Sequence, residues 1–191
     1  MSQLRVLRAA DYPRMPWKNG AGTTLEILRD DAAGDGLEGF GWRLSIADVG
    51  QSGGFSLFTG YHRIITVLEG DGMQLTIDGQ RSRPLRALDA LAFSGDSQVD
   101  CRLLGGPIRD FNLIYSPDRC SVRLQWLTAG VSTLFSSAKT VLVFSAGEGL
   151  RVSFEGETQT VGRYDCLQVD DAGLRPITFD ASAAYCLIEI E

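Results

Sequence analysis

Apolar and polar residues alternate with a period of two along most of this chain. In Trp42–Val49, for example, Trp42, Leu44 and Ile46 alternate with Arg43, Ser45 and Ala47. This period places one side of an extended segment in a core and the other side in a different environment. Further β-rich segments, many of them alternating in the same way, are 63–68, 73–77, 111–115, 140–144, 150–154 and 185–190. The pattern predicts an all-β protein.

Turn residues separate these segments. Asp78-Gly79 and Glu155-Gly156 stand where tight turns are expected, and the chain contains 22 glycines. No segment has a long 3.6-residue period with capping residues, so helix is expected only as short turns at 4–11 and 132–138. Many short strands between turns are typical of a sandwich or barrel.

The chain also contains an internal repeat. Residues 66–79 align without gaps to residues 143–156, with all three glycines, both acidic residues and the apolar positions matched, and 88–93 resembles 164–169. A repeat of this length predicts two β units in tandem. We place the first unit at 1–120 and the second at 121–191, packed on the first as one body.

Composition and charge narrow the function. The 191 residues carry a net charge of −6, which argues against direct nucleic-acid binding. No apolar run is long enough for a membrane helix and no secretory signal is visible, so we expect a cytoplasmic protein. A single histidine, His62, argues against a metal site built on imidazoles. The four cysteines contain no C-x-x-C pair, and we expect them to be reduced: Cys101, Cys120, Cys166 and Cys186.

A glycine-rich segment at 17–24 carries the first candidate site. Its glycines allow a ligand to approach the backbone closely, while Lys18 and Asn19 can donate hydrogen bonds to an anion. Trp17 can wall a flat group, and Thr24 adds a hydroxyl. The alternative is an ordinary turn before a strand, with Trp17 in the core.

Polar residues within predicted strands supply the second part. Arg43 and Ser45 share one strand face, and Asp110 and Asn112 alternate with apolar neighbours. Two arginines that converge in a cavity would bind a carboxylate with paired hydrogen bonds. The alternative is a surface arginine pair. The predicted ligand-binding residues of this part are Glu26, Arg43, Ser45, Phe58, Arg63, Asp110 and Asn112. We expect reversal of the charge at Arg63 to abolish ligand binding without unfolding the chain.

Each repeat unit resembles the cupin pattern, a double-stranded β-helix or jelly-roll barrel, and two such units would form a bicupin. Many cupins bind a metal through three histidines and a glutamate. Here the corresponding positions lie near Arg63, within 57–59 and near Gln98, and none offers an imidazole. The matching stretch of the second unit, 132–139, also lacks ligands. The resemblance therefore implies a metal-independent cupin, and we expect no cofactor.

Four blocks, 15–27, 42–49, 54–63 and 106–113, resemble the HutD/Ves family in content and order. The Trp-Lys-Asn-Gly-x-Gly-x-Thr block is the most specific of them. The resemblance implies a bicupin of the bacterial cytoplasm that is linked to histidine utilisation. It also implies restraint of that pathway's expression through binding of an acidic intermediate.

Three functions follow from these observations. The first is a regulatory protein that binds a small carboxylated metabolite, such as urocanate or formylglutamate, without turnover. The second is a metal-free enzyme, an isomerase or hydrolase, with Glu26, Asp110 or His62 as acid or base. The third is a structural or protein-binding role. A homodimer is left open.

Overall fold

The computed structural model describes residues 4–30 and 39–191 of the chain. These residues form nineteen β-strands, one 3-10 turn at Ala9–Asp11 and no α-helix. In chain order the strands are β1 (Leu4–Leu7), β2 (Arg14–Pro16), β3 (Gly22–Arg29), β4 (Trp42–Val49), β5 (Gly53–Gly54), β6 (His62–Glu69), β7 (Met73–Ile77), β8 (Gln80–Arg81), β9 (Ala90–Ser94), β10 (Val99–Leu103), β11 (Ile108–Tyr115), β12 (Val122–Leu127), β13 (Gly130–Phe135), β14 (Thr140–Ser145), β15 (Leu150–Phe154), β16 (Glu157–Val161), β17 (Cys166–Asp170), β18 (Pro176–Ala181) and β19 (Tyr185–Ile190). Within this described part, no helical segment is long and apolar enough to cross a bilayer. The predicted all-β class is confirmed.

The unit Pro13–Cys120 is built from two antiparallel sheets. The larger has the order β2-β3-β4-β11-β6-β9, and the smaller has the order β5-β10-β7-β8. Val67 of the larger sheet and Met73, Leu75 and Val99 of the smaller belong to one buried core. This is the double-stranded β-helix that the cupin resemblance implies.

The second unit repeats this arrangement. A five-stranded sheet of order β1-β17-β14-β19-β12 and a four-stranded sheet of order β13-β18-β15-β16 share one apolar core. Val143, Val152, Phe179 and Tyr185 are each at most 1% exposed there. Apolar side chains from both sheets therefore fill the interior of this unit.

The division of the chain differs from the predicted one at its beginning. The second unit contains the chain up to Tyr12 together with Ser121–Glu191, whereas 1–12 was assigned to the first unit. The cause is β1, which forms an antiparallel ladder with β17 from Leu4 opposite Val169 to Leu7 opposite Cys166. The internal repeat used to divide the chain begins at residue 66, well after β1, so it could not show to which unit this strand belongs.

The turns of the two units show the repeat in the backbone itself. Asp78 and Glu155 have φ values of 48° and 49°, and Leu88 and Tyr164 have φ values of 64° and 65°. A leucine and a tyrosine rarely adopt this left-handed conformation, so its recurrence at matched positions indicates a shared local structure. The next residue repeats as well, because Asp89 accepts a hydrogen bond from the Arg86 N–H and Asp165 from the Gly162 N–H.

Both predicted helical turns need correction. The segment predicted at 132–138 lies largely in β13, where alternate residues such as Val131 and Phe135 are exposed. Because β13 is an edge strand that leaves polar Ser132 on its inner side, its sequence alternation is weak. The segment predicted at 4–11 is β1 followed by the single 3-10 turn.

Asp165 fixes the start of the chain to the second unit, and its removal should destabilise the protein. Its carboxylate accepts hydrogen bonds from the Arg8 guanidinium at 2.7 Å, the Ala9 N–H at 2.8 Å and the Gly162 N–H at 3.1 Å. We expect Asp165→Ala to lower the free energy of unfolding by about 2–3 kcal/mol in urea titrations, because two backbone donors and one cation lose a charged acceptor.

Asp89→Ala is the matched control for this prediction. Asp89 occupies the same turn of the other unit but is only half-buried, and its ion pair with the exposed Arg83 contributes little. We expect it to cost less than about 1 kcal/mol. Equal losses from the two substitutions would contradict the role assigned to Asp165.

Candidate functional site

A cavity of about 460 Å³, which combines apolar walls with polar groups on its floor, lies in the unit Pro13–Cys120. Its floor comes from β4, β11 and β6, which are neighbours in the larger sheet. Side chains of one parity on these strands point into the cavity, as the period of two requires. Leu44 and Ile46 on the other face of β4 are buried at 0% and 1% exposure.

The strand register places two arginines at the same level of the cavity. Arg43 on β4 and Arg63 on β6 both pair with Ile114 of the strand between them. The two backbones are therefore two strand spacings apart, or roughly 10 Å. Long guanidinium side chains from the two sides can reach one small anion between them.

Arg63 is as buried as Arg43, each at 7% exposure. Its Nη1 donates to the Ser56 carbonyl and its Nη2 to Asn112 Oδ1, both at 3.2 Å. Its Nε is buried without a hydrogen-bond partner among the described residues. Burial lowers the pKa of Arg63 to about 10, with nearby Asp110 opposing that shift and Arg43 adding to it. The side chain stays cationic at neutral pH.

Three aromatic rings surround the Arg63 guanidinium. Its Cζ lies 5.4 Å from the ring centre of Phe55, 5.3 Å from that of Phe58 and 5.1 Å from that of Phe93. The faces of aromatic rings carry negative potential, so this cage favours a cation over a neutral side chain. It also holds the guanidinium in a fixed place.

Arg43 is held by an acidic partner. Its Nε donates to Glu26 Oε2 at 2.8 Å, and Arg29 lies 3.7 Å from the other oxygen of the same carboxylate. Glu26 itself does not line the cavity. Glu26 orients Arg43 from outside the cavity, so the prediction that Glu26 is among the ligand-binding residues does not fit its position.

Asp110 and Asn112 form the middle of the floor. Asn112 donates through Nδ2 to Asp110 Oδ1 and accepts from Arg63, so the three side chains form one hydrogen-bonded chain. Burial raises the pKa of Asp110 to about 7. The cation of Arg63 and the Asn112 hydrogen bond oppose that shift, and the charge of Asp48 adds to it.

The glycine-rich segment forms part of the wall of the cavity. Trp17 donates through Nε1 to Thr24 Oγ1 at 2.8 Å, and Asn19 Oδ1 caps the turn by accepting from the Ala21 N–H at 3.0 Å. Lys18 is exposed. The segment therefore forms the expected turn, and this turn supplies part of the cavity wall. That the segment binds a ligand stays a prediction.

Ten of the eleven predicted ligand-binding residues line this one cavity, and Glu26 is the exception. The ten are Trp17, Lys18, Asn19, Thr24, Arg43, Ser45, Phe58, Arg63, Asp110 and Asn112. That they bind a ligand stays a prediction. Sequence reasoning missed Phe93, which pairs with Arg63 across β9 and β6. Only the register between these strands reveals that contact.

The donor set of the cavity does not suit a metal ion. The position that corresponds to the usual cupin glutamate holds Arg63, a cation, and the Gln98 and Leu57 side chains are exposed. In residues 4–30 and 39–191, no three His, Cys, Asp or Glu side chains are grouped to hold a metal. Cationic and amide donors favour an anion here instead.

A second groove of about 530 Å³ lies at the ends of β3, β4, β6 and β11 in the larger sheet. Its arginine, Arg109, is already engaged by two acids: Nε is 2.7 Å from Asp48 Oδ1 and Nη1 is 3.7 Å from Glu69 Oε1. A bound anion would have to compete with both carboxylates. The cavity around Arg63 is therefore the better anion site.

The chain is similar to several known proteins. The profile of the family described as HutD matches residues 9–187. An uncharacterised 21.2 kDa protein in the hutC 3' region of Pseudomonas putida is 60% identical over 191 residues, which is 100% of this chain and 98% of that protein. Protein Ves of Citrobacter koseri is 35% identical over 139 residues, or 71% of each chain.

Solved structures extend the comparison to the fold. HutD from Pseudomonas fluorescens SBW25, solved in a formate condition, has a TM-score of 0.88 and 59% identity, with 98% of each chain covered. Ylba from E. coli has a TM-score of 0.74 at 8% identity and covers 98% of this chain and 90% of its own. The second likeness concerns the fold alone.

Proposed function

The chain belongs to the HutD family, and on this premise we propose that the cavity around Arg63 binds a small carboxylated metabolite and releases it unchanged. One observation carries the proposal: Arg43 and Arg63 flank Ile114 at one level of the cavity, and Arg63 Nε is buried without a partner in the described residues. A buried donor without a partner costs free energy, which an anionic ligand would recover.

The relatives suggest which acids to test first. Since the Pseudomonas putida relative is named for the hutC 3' region, we propose an acid of histidine degradation, such as urocanate or formylglutamate, as the ligand. Binding would modulate histidine utilisation. The net charge of −6 makes direct contact with DNA unfavourable, so any effect on expression would be indirect, in the cytoplasm.

Thermal melts test this proposal. Purified protein is heated with histidine, urocanate, formiminoglutamate, formylglutamate and glutamate in turn. An acid at about 100 times its dissociation constant should stabilise the protein by about 2.7 kcal/mol, a rise in Tm of roughly 5–10 °C for a chain of this size. A selective rise with one acid, recovered unchanged, supports the proposal. No rise with any of them contradicts it.

A metal-free enzyme is the second candidate, and Asp110 is the observation that favours it. A buried carboxyl group with a pKa of about 7 suits proton transfer at neutral pH. An isomerase or hydrolase of this kind would act on the same small acids. Chromatography of the acid after incubation separates the two candidates, because only the enzyme consumes it.

A further inference from the structure

Asp110 places a carboxyl group inside a cavity whose arginines suit a carboxylate ligand. The residue is 1% exposed, and Asn112 donates a hydrogen bond to its Oδ1. Within the described part of the chain it forms no ion pair, whereas Glu26 and Asp48 each have an arginine partner. A ligand carboxylate near Arg63 therefore approaches a second acidic group that no cation contacts.

Charged groups face Asp110 from each neighbouring element. On β6, Arg63 lowers its pKa, and on β4, Asp48 raises it. Arg43, also on β4, lowers the pKa of Arg63 through its charge and is itself paired with Glu26 of β3.

The remaining neighbours contribute less. Arg109 on the strand of Asp110 is engaged by Asp48 and Glu69, and Lys18 is exposed at the glycine-rich segment. Cys101 on β10 stays a neutral thiol, since burial raises its pKa to about 12. Asp110 is thus the group on the cavity floor that changes charge near neutral pH.

The protonation state of Asp110 decides what can lie beside it. An ionised carboxylate only accepts hydrogen bonds and repels a ligand carboxylate, while a neutral carboxylic acid donates through its O–H. We propose that a carboxylate binds this cavity together with one proton, which Asp110 takes from solvent and uses to donate a hydrogen bond to the ligand. This inference rests on the proposed function and adds to it the uptake of one proton when the carboxylate binds.

Calorimetric titration with formylglutamate tests the proton. Both carboxylates of this probe stay ionised between about pH 6 and about pH 8, so the probe itself contributes no titration. For one linked proton near neutrality, we expect the wild-type Kd to rise about tenfold across that range. Titrations at about pH 7 in two buffers of different ionisation enthalpy should show proton uptake on binding, a readout that needs no variant.

Asp110→Asn is the matched variant, because an amide donates a hydrogen bond at every pH. We expect its Kd for formylglutamate to change less than about twofold across the same range and to stay within about threefold of the wild-type value at pH 6. His62→Gln is the control, since His62 is the single histidine of the chain. His62 lies on the other side of β6, 3.5 Å from the Tyr115 hydroxyl, so this variant should keep the full pH dependence.

The outcomes separate the two proposals. Binding by the wild type with the same Kd at both pH values, or without proton uptake, would overturn the proton inference and leave carboxylate binding in place. Loss of the pH dependence in His62→Gln would also overturn it. Failure of formylglutamate to bind at any pH would overturn the inference and remove formylglutamate from the proposed function, which the other acids of the panel then test.

Discussion

Arg63→Glu is expected to lower the free energy of unfolding by about 3–5 kcal/mol, because it places an unpaired carboxylate in a buried site. The new side chain loses the hydrogen bonds to Ser56 and Asn112, faces three aromatic rings that favour a cation, and lies near Asp110. For this chain length the loss corresponds to a fall in Tm on the order of 10 °C. Thermal and urea unfolding measure it.

This result changes the experiment that the sequence suggested. Reversal of charge at Arg63 was expected to abolish binding without unfolding, but because the side chain is buried, the same substitution also destabilises the protein.

Arg63→Met separates the loss of binding from the loss of stability, since an unbranched apolar chain can pack in the aromatic cage and has no donor for an anion. Arg102→Glu, the same reversal on an exposed β10 position, should change stability by no more than about 0.5 kcal/mol. If Arg102→Glu lowered the free energy of unfolding as much as Arg63→Glu does, the burial of Arg63 would not be the cause of the loss.

Asp110→Asn is expected to stabilise the protein without ligand at about pH 8 and to stabilise it less than half as much at about pH 5. Burial raises the folded-state pKa of Asp110 from 3.8 to about 7, so the folded protein holds a proton that the unfolded chain releases between these values. Stability from this group is full below the unfolded pKa and falls as the pH rises towards the folded one.

The size of the effect follows from that interval. A pKa shift of about three units corresponds to a loss of at most roughly 4 kcal/mol in the free energy of unfolding of the wild type. Relaxation of the structure around an ionised Asp110 reduces this loss, so we expect the variant to be more stable than the wild type by about 2–4 kcal/mol at pH 8. Urea unfolding of both proteins at the two pH values measures it. Asp100→Asn on β10, an exposed position, controls for the removal of one negative charge. An equal gain at pH 5 and pH 8 would contradict the assigned cause.

The elements of the fold were accessible from the sequence where one face of a strand is buried. The predicted strands 73–77 and 150–154 coincide with β7 and β15, because burial of one face imposes the period of two. The predicted strand 185–190 coincides with β19, a nearly continuous apolar segment that is buried on both faces. The edge strand β13 was missed because both its faces carry exposed or polar residues. The pairing of β1 with β17 was missed because short strands far apart in sequence contain no local indication of their partner.

The site was accessible from residue types and parity but not in its details. Arg43 and Ser45 share a face by alternation, and arginine and amide side chains on the inner faces of barrel strands already indicate an anion. The contact between Arg63 and Phe93 depends on a register that no local pattern fixes. The pKa of Asp110 depends on burial and on charges from other strands, which only the assembled sheets define.

The pairing of β1 with β17 has a consequence for how the protein is made. Leu4 lies opposite Val169, so β1 leaves the ribosome well before its partner, which is synthesised 165 residues later. At ordinary translation speeds this delay is roughly 10–30 s, longer than most domains need to fold. The unit Pro13–Cys120 can be complete within that time. The final step of folding is then the pairing of β1 with β17, whose sheet is synthesised last. Contacts of such long sequence separation make that step slow.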